Sequence, residues 1–244
     1  MDKRKQHIFN ILVSEYLTEG KPVASEYLVK KYNLSLSPAT VRNYFKEFGD
    51  EGLIEKSHFS SGRIPTDYGI KKFAQNCDQK NSLESYEINR LRRVFAREYR
   101  VDDLDDTVSE LLKTLTGLIN VAGIGFLPHQ KRLFKYGLPK LIFAFDLIEK
   151  KSLIDILNMF ENLDELMSKN YDNLSFNSTQ VFIGGDNPFF QNDDLSIIVN
   201  RIKGCDDKCE AVISVFGSKR MMYPRALSIL NKSVELLNNW QIKN

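Results

Sequence analysis

The side chains best suited to specific recognition lie on one predicted helix near the start of the chain. Four of them are small or polar, recur at helical spacing and so share one face: Ala39, Arg42, Asn43 and Lys46. In the major groove of DNA, an Arg guanidinium can pair with the two acceptors of guanine, and an Asn amide can pair with adenine. This face predicts base reading, with the individual contacts left open.

Two hydroxyls stand where this helix begins, at Ser37 and Thr40. The first amides of a helix have no partner inside it, and together with nearby hydroxyls they favour a phosphate group. We therefore expect Ser37 and Thr40 to contact the DNA backbone. A single exposed Arg or Asn is more often ordinary solvated surface, so the interpretation depends on the elements around these residues.

The helix that carries this face has a clear start and a clear inner side. Ser37 followed by Pro38 is a strong start signal, because Ser caps a helix and Pro suits its first position. The helix is predicted to run to about Phe48. Its other side carries an apolar stripe that must pack on neighbouring helices: Val41, Tyr44, Phe45 and Phe48.

Two helices are predicted before it. Apolar residues from Ile8 to Leu17 recur at helical spacing, and Gly20 ends that helix. Ser25 is the predicted N-cap of a short second helix, whose apolar face would consist of Tyr27, Leu28 and Tyr32. Two short helices joined by a tight turn, the second one polar on its outer face, are typical of a helix-turn-helix.

A β-hairpin is predicted next, from strands at residues 53–56 and 64–65. Gly62 is expected to supply the positive φ of a tight turn. Arg63 is expected at the tip, where it could enter the minor groove or grip phosphate. The same turn holds three further predicted DNA contacts: His58, Ser60 and Ser61.

These elements define the domain organisation. With a further helix capped at Thr66 and reaching about Cys77, residues 1–77 are predicted to form a winged helix-turn-helix. Residues 78–84 read as a linker. Residues 85–244 read as an α+β domain with helices flanking a small antiparallel sheet.

Two features of the second domain have alternative interpretations. Its first helices, within residues 85–119, carry apolar stripes that could serve either core packing or contact with a second subunit. The glycine pair at residues 183–186 lacks the spacing of a dinucleotide fingerprint and is expected in a structural turn.

Composition excludes several classes of protein. The net charge is +2, with 12 basic and 9 acidic residues in positions 1–75, so charge alone does not indicate a DNA-binding protein. No apolar run approaches the roughly 20 residues of a membrane helix. The N-terminus leads directly into an amphipathic helix without a secretory leader. We therefore expect a cytoplasmic protein that does not bind membranes.

The residues of catalysis and metal binding are sparse. Three cysteines give no disulfide framework, and Cys205 with Cys209 lacks the further ligands of a metal site. The histidines lie in different segments without a nucleophile motif or paired carboxylates: His7, His58 and His129. We expect neither an enzyme nor a protein with a metal or other cofactor.

Several stretches resemble the heat-inducible transcription repressor family HrcA. In the N-terminal region the matching stretches are EYLTEGKPV at 15–23, LSPATVRN at 36–43, EGLI at 51–54 and SGRIPTD at 61–67, of which the last is the most specific. Near the other end they are IGGDNP at 183–188, LSII at 195–198 and SKRMMYP at 218–224. The two groups occur in the family's order.

The resemblance implies a repressor of chaperonin and chaperone operons that binds an inverted-repeat operator as a homodimer. It also implies modulation by the GroEL-type chaperonin and a GAF-like fold for the second domain. A rival interpretation is a ligand-sensing or chaperone-interacting protein whose winged helix contacts other proteins.

The chain also departs from the family pattern. Family members are longer and carry an inserted dimerisation domain, whereas only about fifty residues separate Phe126 from Ile183, too few for such a domain. The insertion is therefore expected to be absent or much reduced. Residues 216–220 read FGSKR where the family has IGPTR.

Overall fold

The structure is a computed structural model. The chain forms two compact units, Met1–Asp78 and Gln79–Asn244, and each is described by itself. The residues that the structure describes are 2–57, 61–77, 83–96, 104–143, 150–189, 192–203 and 210–243.

Over its described residues, the first unit consists of three helices followed by a two-stranded antiparallel hairpin and a fourth helix. In chain order these are α1 (Lys3–Glu19), α2 (Ser25–Lys31), α3 (Pro38–Asp50), β1 (Ile54–Lys56), β2 (Arg63–Pro65) and α4 (Asp67–Asn76). These helices and strands occur in the order that the sequence predicts.

The helix ends follow from local chemistry. Ser37 Oγ accepts the Thr40 amide at 3.1 Å, with Pro38 at the first helical position, so α3 begins as predicted. Thr66 Oγ1 caps α4 in the same way by accepting the Gly69 amide at 3.0 Å. Gly20 ends α1 in the left-handed conformation, with φ of 66°.

Helix α2 differs from the prediction in two respects. Ala24 is its N-cap, and Ser25 is its first residue and is buried. Leu28 is buried, but Tyr27 and Tyr32 are exposed, so the predicted apolar face was wrong for the two tyrosines. The hydroxyls of both rings donate to a carboxylate on α1, that of Glu15.

The predicted role of Gly62 was also wrong. Its φ is not positive, whereas Gly20 and Gly52 have φ of 66° and 70°. Glycine is needed at position 62 for space: a Cβ there would stand 2.7 Å from the Cβ of Pro22. The hairpin thus packs directly on the segment between α1 and α2.

The second unit is an α+β structure around a five-stranded antiparallel sheet with strand order β4-β3-β7-β6-β5. The strands are β3 (Ala122–Leu127), β4 (Arg132–Tyr136), β5 (Thr179–Ile183), β6 (Leu195–Ile202) and β7 (Ala211–Ser218). Its α-helices are α5 (Ser85–Val94), α6 (Leu104–Leu118), α7 (Leu138–Phe143), α8 (Lys150–Glu161), α9 (Leu163–Asn170) and α10 (Tyr223–Lys243).

Helices cover both faces of this sheet, as predicted. Helix α6 packs close to β3, because Gly123 and Gly125 face its Leu112 and leave no room for larger side chains. On the other face, Ile124 and Phe126 join a core with residues from α7, α8 and α9. The apolar stripes of α5 and α6 are largely buried within this unit, which favours the core-packing interpretation of residues 85–119.

The C-terminal motifs have structural roles. Gly184 has φ of 57° in a short 3-10 turn, and Asn187 Oδ1 accepts the Phe189 amide at 3.0 Å. Tyr223 is fully buried, and its hydroxyl donates to Ser196 Oγ at 2.8 Å. The glycine pair therefore forms a turn, as expected.

Gly69→Ala should destabilise the first unit, although alanine normally favours a helix. A Cβ at position 69 would stand 2.0 Å from the Leu53 carbonyl oxygen, a backbone atom that cannot rotate away. We expect a loss of ~1–3 kcal/mol in the free energy of unfolding, measured by urea denaturation with circular dichroism.

Gly49→Ala on α3 is the matched control. Its nearest neighbour beyond the helix would be the Ile54 carbonyl oxygen at 3.8 Å, an ordinary contact, so we expect a gain of ~0.5–1 kcal/mol. Equal effects from the two substitutions would contradict the packing described for Gly69.

Candidate nucleic-acid interface

Helix α3 presents the predicted reading residues on its solvent side. Val41, Phe45 and Phe48 are buried, and Tyr44 is half-buried beneath the Lys5 ammonium group, 5.7 Å from the ring centroid. With this stripe packed inward, the four residues of the opposite face are all exposed: Ala39, Arg42, Asn43 and Lys46.

The two hydroxyls at the start of α3 are hydrogen-bonded to each other. Ser37 Oγ lies 2.9 Å from Thr40 Oγ1, in addition to accepting the Thr40 amide. The Thr40 amide is therefore not one of the free amides that the sequence assigned to a phosphate. Ser37 is exposed and Thr40 is half-buried.

Arg42 has a partner that the sequence did not indicate. Its Nη2 donates to Glu26 Oε1 at 2.5 Å, and both side chains are largely exposed. Glu26 lies in the first turn of α2. The strongest candidate for base reading is thus held by a carboxylate from the preceding helix.

The hairpin places its predicted contacts differently from the expectation. Ser61 is exposed, while His58 and Ser60 lie outside the described residues. Arg63 is not at the tip: it is the first residue of β2, opposite Lys56. Its guanidinium turns back along the hairpin, where Nη1 donates to the Ser61 carbonyl at 3.2 Å.

The position of Arg63 is fixed through the backbone. Its amide donates to the Val23 carbonyl at 2.9 Å, and the Val23 amide donates to the Arg63 carbonyl at 2.8 Å. This bridge ties the hairpin to the segment between α1 and α2, next to the contact of Gly62 with Pro22. Local periodicity does not reveal a pairing between residues so far apart along the chain.

A buried carboxylate joins α1 to α2. Glu15 is 3% exposed and accepts three hydrogen bonds: from Tyr27 Oη at 2.5 Å, Lys31 Nζ at 2.6 Å and Tyr32 Oη at 2.8 Å. We call Glu15 and these three partners the Glu15 cluster. The sequence offered one signal for it, a carboxylate on the buried side of α1 three residues after Leu12.

The Glu15 cluster shifts the pKa values of its members. Burial alone would raise the pKa of the Glu15 carboxyl, but the hydrogen bonds from Lys31, Tyr27 and Tyr32 outweigh burial and hold it below its ordinary value of 4.5. The hydrogen bond to Glu15 raises the pKa of the Lys31 ammonium group. Glu15 is therefore a charged anchor at neutral pH.

Other kinds of site have less support. Among the residues that the structure describes, no group of three or more His, Cys, Asp or Glu is arranged to hold a metal ion. Cys205 and Cys209 lie outside them, while His7 and His129 are exposed and belong to different units. None of the described helices combines the length and apolarity needed to cross a membrane.

Known proteins resemble this chain in sequence and in fold. A family described as HrcA protein C terminal domain matches residues 70–227. The chain is 39% identical over 128 residues to the heat-inducible transcription repressor HrcA of Fusobacterium nucleatum, covering 52% of this chain and 36% of that protein. It is 34% identical over 123 residues to the same-named protein of Mycoplasma mobile, covering 50% and 35%.

A solved structure shares the fold. The crystal structure of a hypothetical protein superposes with a TM-score of 0.72 at 15% identity, covering 100% of this chain and 99% of that one. At this identity the likeness concerns the fold alone.

These matches place the chain in a family of transcription repressors. The chain belongs to the HrcA family, as the resemblance of its motifs predicted. The aligned region spans about a third of the length of the curated relatives, 36% and 35% in the two cases above.

Glu15→Gln should destabilise the first unit and change its dependence on pH. A carboxyl whose folded pKa is depressed stabilises the fold above its unfolded pKa, and this stabilisation is lost as the pH falls through the folded pKa. At pH 7 we expect a loss of ~1–3 kcal/mol, because the amide cannot satisfy the same donors.

The measurement is urea denaturation from about pH 7 to about pH 2. The wild-type chain should lose stability below about pH 4.5 more steeply than the Glu15→Gln variant. Glu19→Gln, at an exposed position of the same helix, should match the wild type. Parallel pH profiles for wild type and the Glu15→Gln variant would contradict an anchoring role.

Proposed function

We propose that this chain is a sequence-specific DNA-binding repressor of heat-shock operons that encode chaperonins and chaperones. Residues 1–77 act as a winged helix-turn-helix, in which α3 enters the major groove and the hairpin contacts the adjacent backbone. The observation that carries the proposal is the outward face of α3, where Arg42 and Asn43 are exposed and backed by a buried apolar stripe.

The chemistry of this face supports base reading. Arg42 and Asn43 carry the two side-chain types that form bidentate pairs with guanine and adenine, and Lys46 lies one turn further along the same face. Ala39 is small enough to let the helix approach the bases. The contacts to phosphate are assigned to Ser37, Thr40, His58, Ser60, Ser61 and Arg63.

The proposal extends to assembly and regulation. The operator is an inverted repeat, and its two-fold symmetry requires two reading heads, so the acting species is a homodimer. The second unit is a GAF-like dimerisation and regulatory domain, and the GroEL-type chaperonin modulates activity, as the family resemblance implies. The protein works in the cytoplasm without catalysis and without a cofactor.

The experiment is a titration of the full chain against a labelled duplex that carries the inverted repeat of a chaperonin promoter. A scrambled duplex of equal length and composition serves as the comparison at physiological salt, because charge alone binds any duplex. Equal affinity for the two duplexes would favour the rival interpretation, in which the winged helix contacts protein. Light scattering of the free chain and the complex tests the homodimer, and repetition with chaperonin tests its effect.

Arg42→Ala and Arg63→Ala should have different effects on binding. Loss of the base-reading guanidinium should reduce the affinity ratio between operator and scrambled duplex roughly tenfold. Loss of the Arg63 guanidinium should weaken binding to both duplexes equally. It should also reduce the slope of log affinity against log salt concentration by about one.

Arg92→Ala is the control for charge. It removes the same positive charge from an exposed position of α5 in the second unit, and neither the ratio nor the slope should change. Equal loss of discrimination from the Arg42 and Arg63 variants would contradict the roles assigned to them.

A further inference from the structure

The ion pair between Arg42 and Glu26 lies on the surface that the proposed function assigns to DNA. Arg42 Nη2 donates to Glu26 Oε1 at 2.5 Å, with side chains 60% and 71% exposed. Exposed ion pairs contribute little to stability, because water screens them. The pair therefore calls for an explanation other than folding.

Glu26 is attached to a helix whose position is fixed. The neighbouring residue Tyr27 donates its hydroxyl to the buried carboxylate of Glu15, and Lys31 and Tyr32 hold the other end of α2 to the same carboxylate. The carboxylate of Glu26 thus extends from an anchored backbone. An anchored acceptor can restrict the rotamers of the long Arg42 side chain.

The geometry of a guanidinium allows one edge to be held while another reads. Arg has five N–H donors in a rigid fork, and Glu26 takes one donor nitrogen, Nη2. Other N–H groups of Arg42 remain available for the O6 and N7 acceptors of guanine. A pre-positioned fork loses less conformational freedom when it binds.

The negative charge of Glu26 should also weaken binding to nonspecific DNA. A carboxylate close to the reading face repels phosphates of any duplex, which weakens binding irrespective of sequence. A guanine that pairs with Arg42 offsets this cost, and a wrong base does not. Attraction to the correct partner and repulsion of the others together increase discrimination.

We infer that Glu26 is a specificity-determining residue of the proposed DNA site, which positions Arg42 for a guanine and lowers affinity for other duplexes. This inference rests on the proposed function. The partner it specifies is a guanine-containing half-site in duplex DNA.

The test is a double-mutant cycle in the full chain with Glu26→Gln, Arg42→Ala and the double variant, titrated against operator and scrambled duplexes. Glu26→Gln should strengthen binding of the scrambled duplex roughly threefold or more and lower the ratio of operator to scrambled affinity by about tenfold. In the Arg42→Ala background, Glu26→Gln should change the affinity ratio less than about twofold, because the guanidinium that Glu26 positions is absent.

Glu19→Gln is the matched control, since it removes one negative charge from an exposed position of α1. It should affect both duplexes equally. Because the pair is exposed, the thermal midpoint of the Glu26 variant should stay within about 2 °C of the wild type, which separates an effect on binding from an effect on folding.

Two results would overturn the inference in distinguishable ways. In the first, the wild type discriminates between the duplexes and Arg42→Ala reduces this discrimination, but Glu26→Gln leaves the affinity ratio unchanged or lowers it equally in the wild-type and Arg42→Ala backgrounds. The inference alone then fails. If the wild type binds both duplexes equally, the proposed function fails and the inference fails with it.

Discussion

Helix α3 has one apolar face, and the burial of that face determines which way every other side chain of the helix points. Val41, Phe45 and Phe48 are buried in the first unit, and each contributes about 1.5–3 kcal/mol relative to an exposed position. Rotation of α3 about its axis would expose these residues to water. The exposure of Arg42 and Asn43 is therefore a consequence of the core, and the surface proposed to read DNA is as well defined as the packing beneath it.

Local signals in the sequence predicted much of this unit. The Ser37 and Pro38 start, the Thr66 cap and the Gly20 stop act within a few residues, so the sequence reveals them directly. The contacts that the sequence did not indicate join residues far apart along the chain. Glu15 accepts hydrogen bonds from the tyrosines of α2, and Gly62 leaves space for Pro22. Periodicity predicts neither contact, because each depends on the tertiary fold.

The second unit likewise contains elements that local sequence signals indicate and elements that they do not. Strands β3, β6 and β7 are buried throughout or nearly so, and their mostly apolar residues agree with the small antiparallel sheet predicted for residues 85–244. Strand β4 was missed because it is a partly exposed edge strand with charged residues in its sequence, Arg132 and Lys135. The base-reading residues remain predictions from the sequence, whereas the Arg42–Glu26 pair is visible only in the structure.

Amide hydrogen exchange of the full chain tests most directly whether α3 reads DNA. It is measured for the chain alone, with the inverted-repeat duplex and, for comparison, with the scrambled duplex. If α3 enters the groove and the hairpin meets the backbone, the operator should slow exchange in residues 37–46 and 61–65, and the scrambled duplex should do so much less. Unchanged exchange in residues 37–46 with protection only in other parts of the chain would contradict the account.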